Sequence, residues 1–161
     1  MSEVGGEYNS SSIRLALFNT FYKPITVCTP SDFRILVVDD IDDNLFLLQT
    51  VLETEGYAVD TAGNGGTALA KVESSPPDLI LMDVMMPDMN GYEVTRQIRQ
   101  NPNLPFMPIL MVTAYDTINM NPGLALDSHN FIRKPIEFDQ LLSKVATLLE
   151  ACHHHHDSDA P

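Results

Sequence analysis

The chain has 161 residues, 44% hydrophobic and 19% charged, which is ordinary for one globular domain with short appendages and leaves little room for a second. Nine Lys and Arg against 22 Asp and Glu give a net charge of −13, which repels nucleic acid and anionic lipid and favours cations or basic partners. No apolar run approaches the roughly 20 residues of a membrane span, no leader pattern opens the chain, and Cys28 and Cys152 form no disulfide framework; neither membrane nor nucleic acid is expected as a partner, and the reducing cytoplasm is the expected location.

Residues 1–32 carry no periodicity that continues past Phe33, so an N-terminal extension, disordered or loosely packed, is expected there. Its stretch from Ile13 to Val27 holds Phe18, Phe21, Tyr22 and Ile25 and is more apolar than most tails. The domain itself is expected at 33–150, and 151–161 as a flexible His-containing tail. From Phe33 the run Phe33-Arg34-Ile35-Leu36-Val37-Val38 is near-continuously apolar, as a strand covered on both faces requires. Asp42, Asp43 and Asn44 then offer helix caps, Leu45, Leu48 and Leu52 recur at helical spacing, and Gly56 ends the stretch. The alternation repeats with strands at 58–62, 78–83, 107–113 and 130–133 and helices near 66–73, 91–100 and 138–150, the helix after the fourth strand being weak. Five βα units with short links specify an α/β fold: a parallel sheet wrapped by helices on both faces, because each crossover is right-handed and must cover a face.

Ligands of such open sheets sit outside the carboxyl ends of the strands. There the chain places Asp39-Asp40 after the first strand, Asp83 after the third, Thr113 after the fourth and Lys134 after the fifth. Converging carboxylates repel by about 4 kcal/mol per pair near 4 Å at an effective dielectric of 20, so a cation must neutralise them. Carboxylates without His or Cys select a hard ion such as Mg²⁺, which shares its shell with phosphate. Lys134 adds a point charge and Thr113 a hydroxyl donor, and together these groups would cradle a phosphoryl group.

The segment from Phe33 to Glu150 resembles the receiver domain of two-component response regulators. The resemblance rests on Ile35-Leu36-Val37-Val38-Asp39-Asp40, on Leu79 to Gly91 with Asp83 at its centre, on Met111-Val112-Thr113-Ala114 and on Phe131-Ile132-Arg133-Lys134-Pro135, in that order. It implies a flavodoxin-like doubly wound sheet of strand order 2-1-3-4-5. It implies further that Asp83 accepts a phosphoryl group from a sensor histidine kinase or histidine phosphotransfer protein. Asp39, Asp40, Asp83 and the backbone carbonyl of Met85 would hold Mg²⁺, or Mn²⁺ in its place. Lys134 would pair with the phosphoryl oxygens, Thr113 would move to bond them, and Phe131 would turn inward with it. The Lys134-Pro135 bond is expected in cis. A stand-alone switch or relay is implied, with no output domain of its own, monomeric or dimerising on phosphorylation, that signals to a downstream effector protein and is not an enzyme in the usual sense.

Other readings stand beside these. Asp39-Asp40 alone would be a solvated strand end, and a receiver that binds partners independently of phosphate remains the alternative function. An aspartyl phosphohydrolase would need a second Asp two residues after the nucleophile, where this chain has Met85; a flavodoxin would need phosphate donors where it has Asp39 to Asp43. The methionines read as packing and loop residues, Asn90-Gly91 as a turn in which Gly91 is needed for its backbone angles. His153–His156 with Cys152 suit zinc or nickel, against the expectation of a solvated tail. The pattern departs from the family between Thr113 and Lys134, where Asn121-Pro122-Gly123 interrupts and Leu126-Asp127-Ser128-His129 replaces the usual turn; a short or displaced fourth helix is expected. The resemblance also implies that Met85 and Tyr115 flank the path of a water attacking the acyl phosphate.

Overall fold

The computed structural model describes residues 28–114 and 130–156, with side chains to Ala151. One parallel sheet has the order β2-β1-β3-β4-β5, built from β1 (Arg34–Val38), β2 (Ala58–Ala62), β3 (Leu79–Asp83), β4 (Ile109–Thr113) and β5 (Phe131–Arg133). Among the described residues its helices are α1 (Asp42–Thr54), α2 (Gly65–Ser74), α3 (Gly91–Gln100) and α4 (Phe138–His156), with a 3-10 turn at Pro30–Asp32 ahead of β1. This is the flavodoxin-like order expected. Tyr115, the interruption at Pro122 and the Leu126–His129 turn lie outside the described residues, as do 1–27 and 157–161.

Side chains leave a strand alternately to its two faces, and both faces here are buried. Leu36 and Val38 of β1, Ile80 and Met82 of β3, and Ile109 and Met111 of β4 pack toward Ala68 and Val72 of α2 and Val94 and Ile98 of α3. Their neighbours Ile35, Val37, Leu79, Leu81, Leu110 and Val112 face Leu48 and Leu52 of α1 and Leu141, Val145 and Leu149 of α4. Each such fully buried side chain contributes about 1.5–3 kcal/mol of transfer free energy. That two-sided burial is why the strands read as unbroken apolar runs.

At the helix ends the structure differs from the sequence reading for α1 and α4. The N-cap of α1 is Ile41, without a side-chain cap bond; Asp42 and Asp43 occupy the first turn, where carboxylates meet the positive end of the helix dipole. The caps of α2 and α3 are Asn64, accepting from the Thr67 N–H at 2.8 Å, and Asn90, accepting from the Glu93 N–H at 2.9 Å. Helix α4 continues past the expected boundary at Glu150 to His156, since Ala151 is a strong helix former and neither Gly nor Pro interrupts the run.

Candidate functional site

Strand register creates the acidic corner. Val38 pairs with Met82, so the next residues, Asp39 and Asp83, leave adjacent strands side by side. Both are buried, at 2% and 3% exposure, while Asp40 is exposed. One carboxylate oxygen from each of Asp39, Asp40 and Asp83 lies within 4.8 Å of the others. Lys134 enters from the far side of β4: its N–H donates to the Thr113 carbonyl at 2.8 Å, and its Nζ reaches 3.2 Å from Asp83 Oδ1 and 3.7 Å from Asp39 Oδ2. The Lys134-Pro135 peptide bond is cis. Thr113, buried at 3%, ends β4 one residue beyond Val112, whose carbonyl accepts the Val84 N–H at 2.9 Å. The topology thus gathers Asp39, Asp40, Asp83, Thr113 and Lys134 at one edge of the sheet.

Asp39 is held firmly. Its Oδ1 accepts the Ile41 N–H at 2.9 Å, and its Oδ2 accepts from Asn44 Nδ2 at 3.1 Å. Asn44 is a site residue that sequence reasoning treated only as a cap; its role depends on how α1 turns back over the strand end, for which no local signal exists. Asp83 Oδ1 has a long contact of 3.4 Å with the Met85 N–H. Burial pushes the Asp83 carboxyl above its ordinary range, and the charge of Asp39 adds to this, opposed by Lys134 and the Met85 N–H.

Gly91 requires a correction. Its φ is not among the positive values of the chain, which occur at Gly56 (97°) and Asp88 (66°). Glycine is needed because a Cβ at 91 would stand 2.3 Å from the Asp83 carbonyl oxygen and 2.9 Å from Met82 Cγ. Phe131 pairs in register with Met111, and its half-buried ring packs on the α2 and α3 side of the sheet. The side chain of Met85 is 51% exposed.

The donor set fits a hard divalent cation: three carboxylates converge, no His or Cys stands among them, and exposed Asp40 keeps the corner open to the waters Mg²⁺ retains. Beside Lys134 an apolar groove is lined by Leu47, Leu48, Pro135, Ile136 and Phe138. Leu47 and Phe138 give the groove an exposed apolar rim, and Ile41, the N-cap of α1, is exposed as well. No helix among the described residues is long and apolar enough to cross a membrane.

Comparison with known proteins agrees with this architecture. The sequence profile described as the response regulator receiver domain matches residues 35–146. The chain is 42% identical over 116 residues to the response regulator PleD of Caulobacter vibrioides, covering 71% of this chain but only 26% of PleD. It is 32% identical over 117 residues to protein PilH of Pseudomonas aeruginosa, covering 72% of this chain and 97% of PilH. Among solved structures it is similar to the CheY-like receiver domain protein of Methanospirillum hungatei, with TM-score 0.67, 33% identity and coverage of 76% and 98% of the two chains. Chemotaxis protein CheY4 of Vibrio cholerae gives TM-score 0.63 and 31% identity, with coverage of 72% and 98%. Receiver domains are signalling modules of two-component systems in which phosphorylation and Mg²⁺ binding are general. Profile, relatives and sheet order converge: the chain belongs to the response regulator receiver domain family.

Proposed function

We propose that this chain is the phosphoacceptor of a phosphorelay, in which Asp83 receives a phosphoryl group from a sensor histidine kinase or histidine phosphotransfer protein. The observation that carries this reading is the 3.2 Å approach of Lys134 Nζ to Asp83 Oδ1, within a corner that Asp39 and Asp40 complete. Asp39, Asp40, Asp83 and the Met85 carbonyl are the residues that would hold Mg²⁺ or Mn²⁺, which when bound supplies charge neutralisation at the phosphoryl oxygens.

In the transfer a carboxylate oxygen of Asp83 attacks phosphorus in line. The bond from phosphorus to the donor imidazole nitrogen breaks, its electron pair returns to that nitrogen, and an acyl phosphate is formed. Lys134 stabilises the charge of the transferred group, and Asn44 with the Ile41 N–H keeps Asp39 oriented. The buried Thr113 hydroxyl is then the group poised to donate to a phosphoryl oxygen, and its shift would free space for Phe131 to turn inward. The apolar rim of Leu47 and Phe138, with exposed Ile41, would dock the donor protein, while the rearranged end of β4 and β5 would be read by a downstream effector. The match over 97% of PilH is compatible with a receiver that signals through a separate effector protein.

Incubation of the full chain with Mg²⁺ and acetyl phosphate, followed by intact mass measurement, tests this. One phosphoryl adduct is expected on the native chain and none on Asp83→Asn. An adduct of equal yield on both proteins places the acceptor elsewhere.

A further inference from the structure

Both oxygens of the buried Asp39 carboxylate are engaged by groups of the chain itself. Its Oδ1 accepts the Ile41 N–H at 2.9 Å, and its Oδ2 accepts from Asn44 Nδ2 at 3.1 Å with Lys134 Nζ 3.7 Å from the same oxygen. Oδ2 thus faces an amide and an ammonium, and a cation reaching it would meet a like charge. Oδ1 carries a single backbone donor and keeps a lone pair for a metal. Asp39 therefore offers the corner one oxygen. Asp83 is divided in the same way: its Oδ1 has Lys134 Nζ at 3.2 Å and the Met85 N–H at 3.4 Å, which leaves Oδ2.

Asn44 is held in place by the helix that carries it. It is the third residue of α1, half-buried, and its own N–H donates to the Ile41 carbonyl at 3.0 Å. Leu48 and Lys134 stand with it on the wall of the apolar groove. One turn of helix thus grips Asp39 twice, through the Ile41 N–H on Oδ1 and the Asn44 amide on Oδ2, and rotation of the carboxylate breaks both bonds. An amide suits this task, because it donates without adding charge to the corner.

Divalent cations differ in what they require of a carboxylate. Mg²⁺ demands a near-ideal octahedron at about 2.0–2.1 Å, keeps several waters and accepts one oxygen from each carboxylate. Ca²⁺ takes about six to eight oxygens at about 2.3–2.6 Å and commonly binds a carboxylate through both. We propose that Asn44 is a positioning residue for cation selectivity: by keeping Oδ2 of Asp39 engaged, it confines that carboxylate to single-oxygen coordination, which suits Mg²⁺ and disfavours Ca²⁺. This role rests on the reading of Asp39, Asp40 and Asp83 as the cation site.

The full-length chain is loaded with Mn²⁺, and Mg²⁺ or Ca²⁺ is titrated against it while free Mn²⁺ is followed by its paramagnetic resonance signal. The native chain is expected to bind Mg²⁺ more tightly than Ca²⁺. In Asn44→Ala, and in Asn44→Leu, which keeps the bulk of the side chain without its donor, that preference is expected to fall about tenfold, the scale of one hydrogen bond to a charged group. In Asn64→Ala, at the remote cap of α2, it is expected to stay native. The ratio of the two affinities separates positioning from a structural role, since a general loosening of the fold weakens both ions together. A native ratio in both Asn44 variants overturns the role of Asn44 and leaves the cation site standing, as does a native chain that prefers Ca²⁺. A native chain that binds none of the three ions overturns the cation site and this role with it.

Discussion

Gly91 lies so close under Asp83 that a methyl group on its α-carbon would stand 2.3 Å from the Asp83 carbonyl oxygen. The first residue of α3 therefore packs directly on the stretch of chain that presents the candidate phosphoacceptor, and the Gly91 N–H donates to the Val84 carbonyl at 3.0 Å. The obstacle is backbone, which no rotamer change can relieve. Gly91→Ala is expected to cost about 2–3 kcal/mol, the upper part of the overpacking range, and to weaken Mg²⁺ binding by displacing Asp83. Urea unfolding with a Mg²⁺ titration checks both; an unaltered midpoint would show that the contact relaxes freely.

Asn64 offers a contrast remote from the site. Its Oδ1 accepts the Thr67 N–H at 2.8 Å, so Asn64→Ala removes a cap and should cost about 1 kcal/mol. Mg²⁺ affinity should stay at the native value, because α2 carries none of the carboxylates. A change in affinity comparable to that of Gly91→Ala would contradict this separation.

Lys134 stands between Asp39 and Asp83, at 3.7 and 3.2 Å. Lys134→Ala should slow labelling by acetyl phosphate roughly a hundredfold, the scale of losing one charge-stabilising donor. It should also tighten Mg²⁺ binding, since a competing cation has been removed from the carboxylates. Timed mass measurement gives the rate; labelling at the native rate would remove Lys134 from the mechanism.

The raised proton affinity of Asp83 has a definite sign for stability. Burial and then Asp39 lift its carboxyl above the ordinary range, so the folded chain keeps a proton there at pH values where the unfolded chain has lost it. Stability without metal therefore falls as pH rises from the ordinary carboxylate value through the raised one, and the ionised form is a cost at neutral pH. In chelator, Asp83→Asn should raise Tm near neutrality, and the gain should shrink on acidification. Melting curves from about pH 4 to 8 decide the matter: a gain independent of pH would assign the effect to something other than this titration.

Much of this architecture was legible in the order of residues. Unbroken apolar runs and helical spacing are both properties of neighbours in the chain, so β1, β3 and α1 could be located from Ile35–Val38, Leu79–Leu81 and Leu45, Leu48 and Leu52. Short links then dictate a parallel sheet, and a parallel sheet carries its strand-end residues to one edge, which is why Asp39, Asp83, Thr113 and Lys134 could be grouped from sequence alone. Tertiary structure alone decided the rest. The need for glycine at 91, the bond from Asn44 to Asp39, the Ile41 cap in place of Asp42, and the opposing influences of Asp39 and Lys134 on Asp83 are distances between groups that local geometry does not relate. Contact and electrostatic energies depend on those separations and on burial, and both come into being only when the chain has folded.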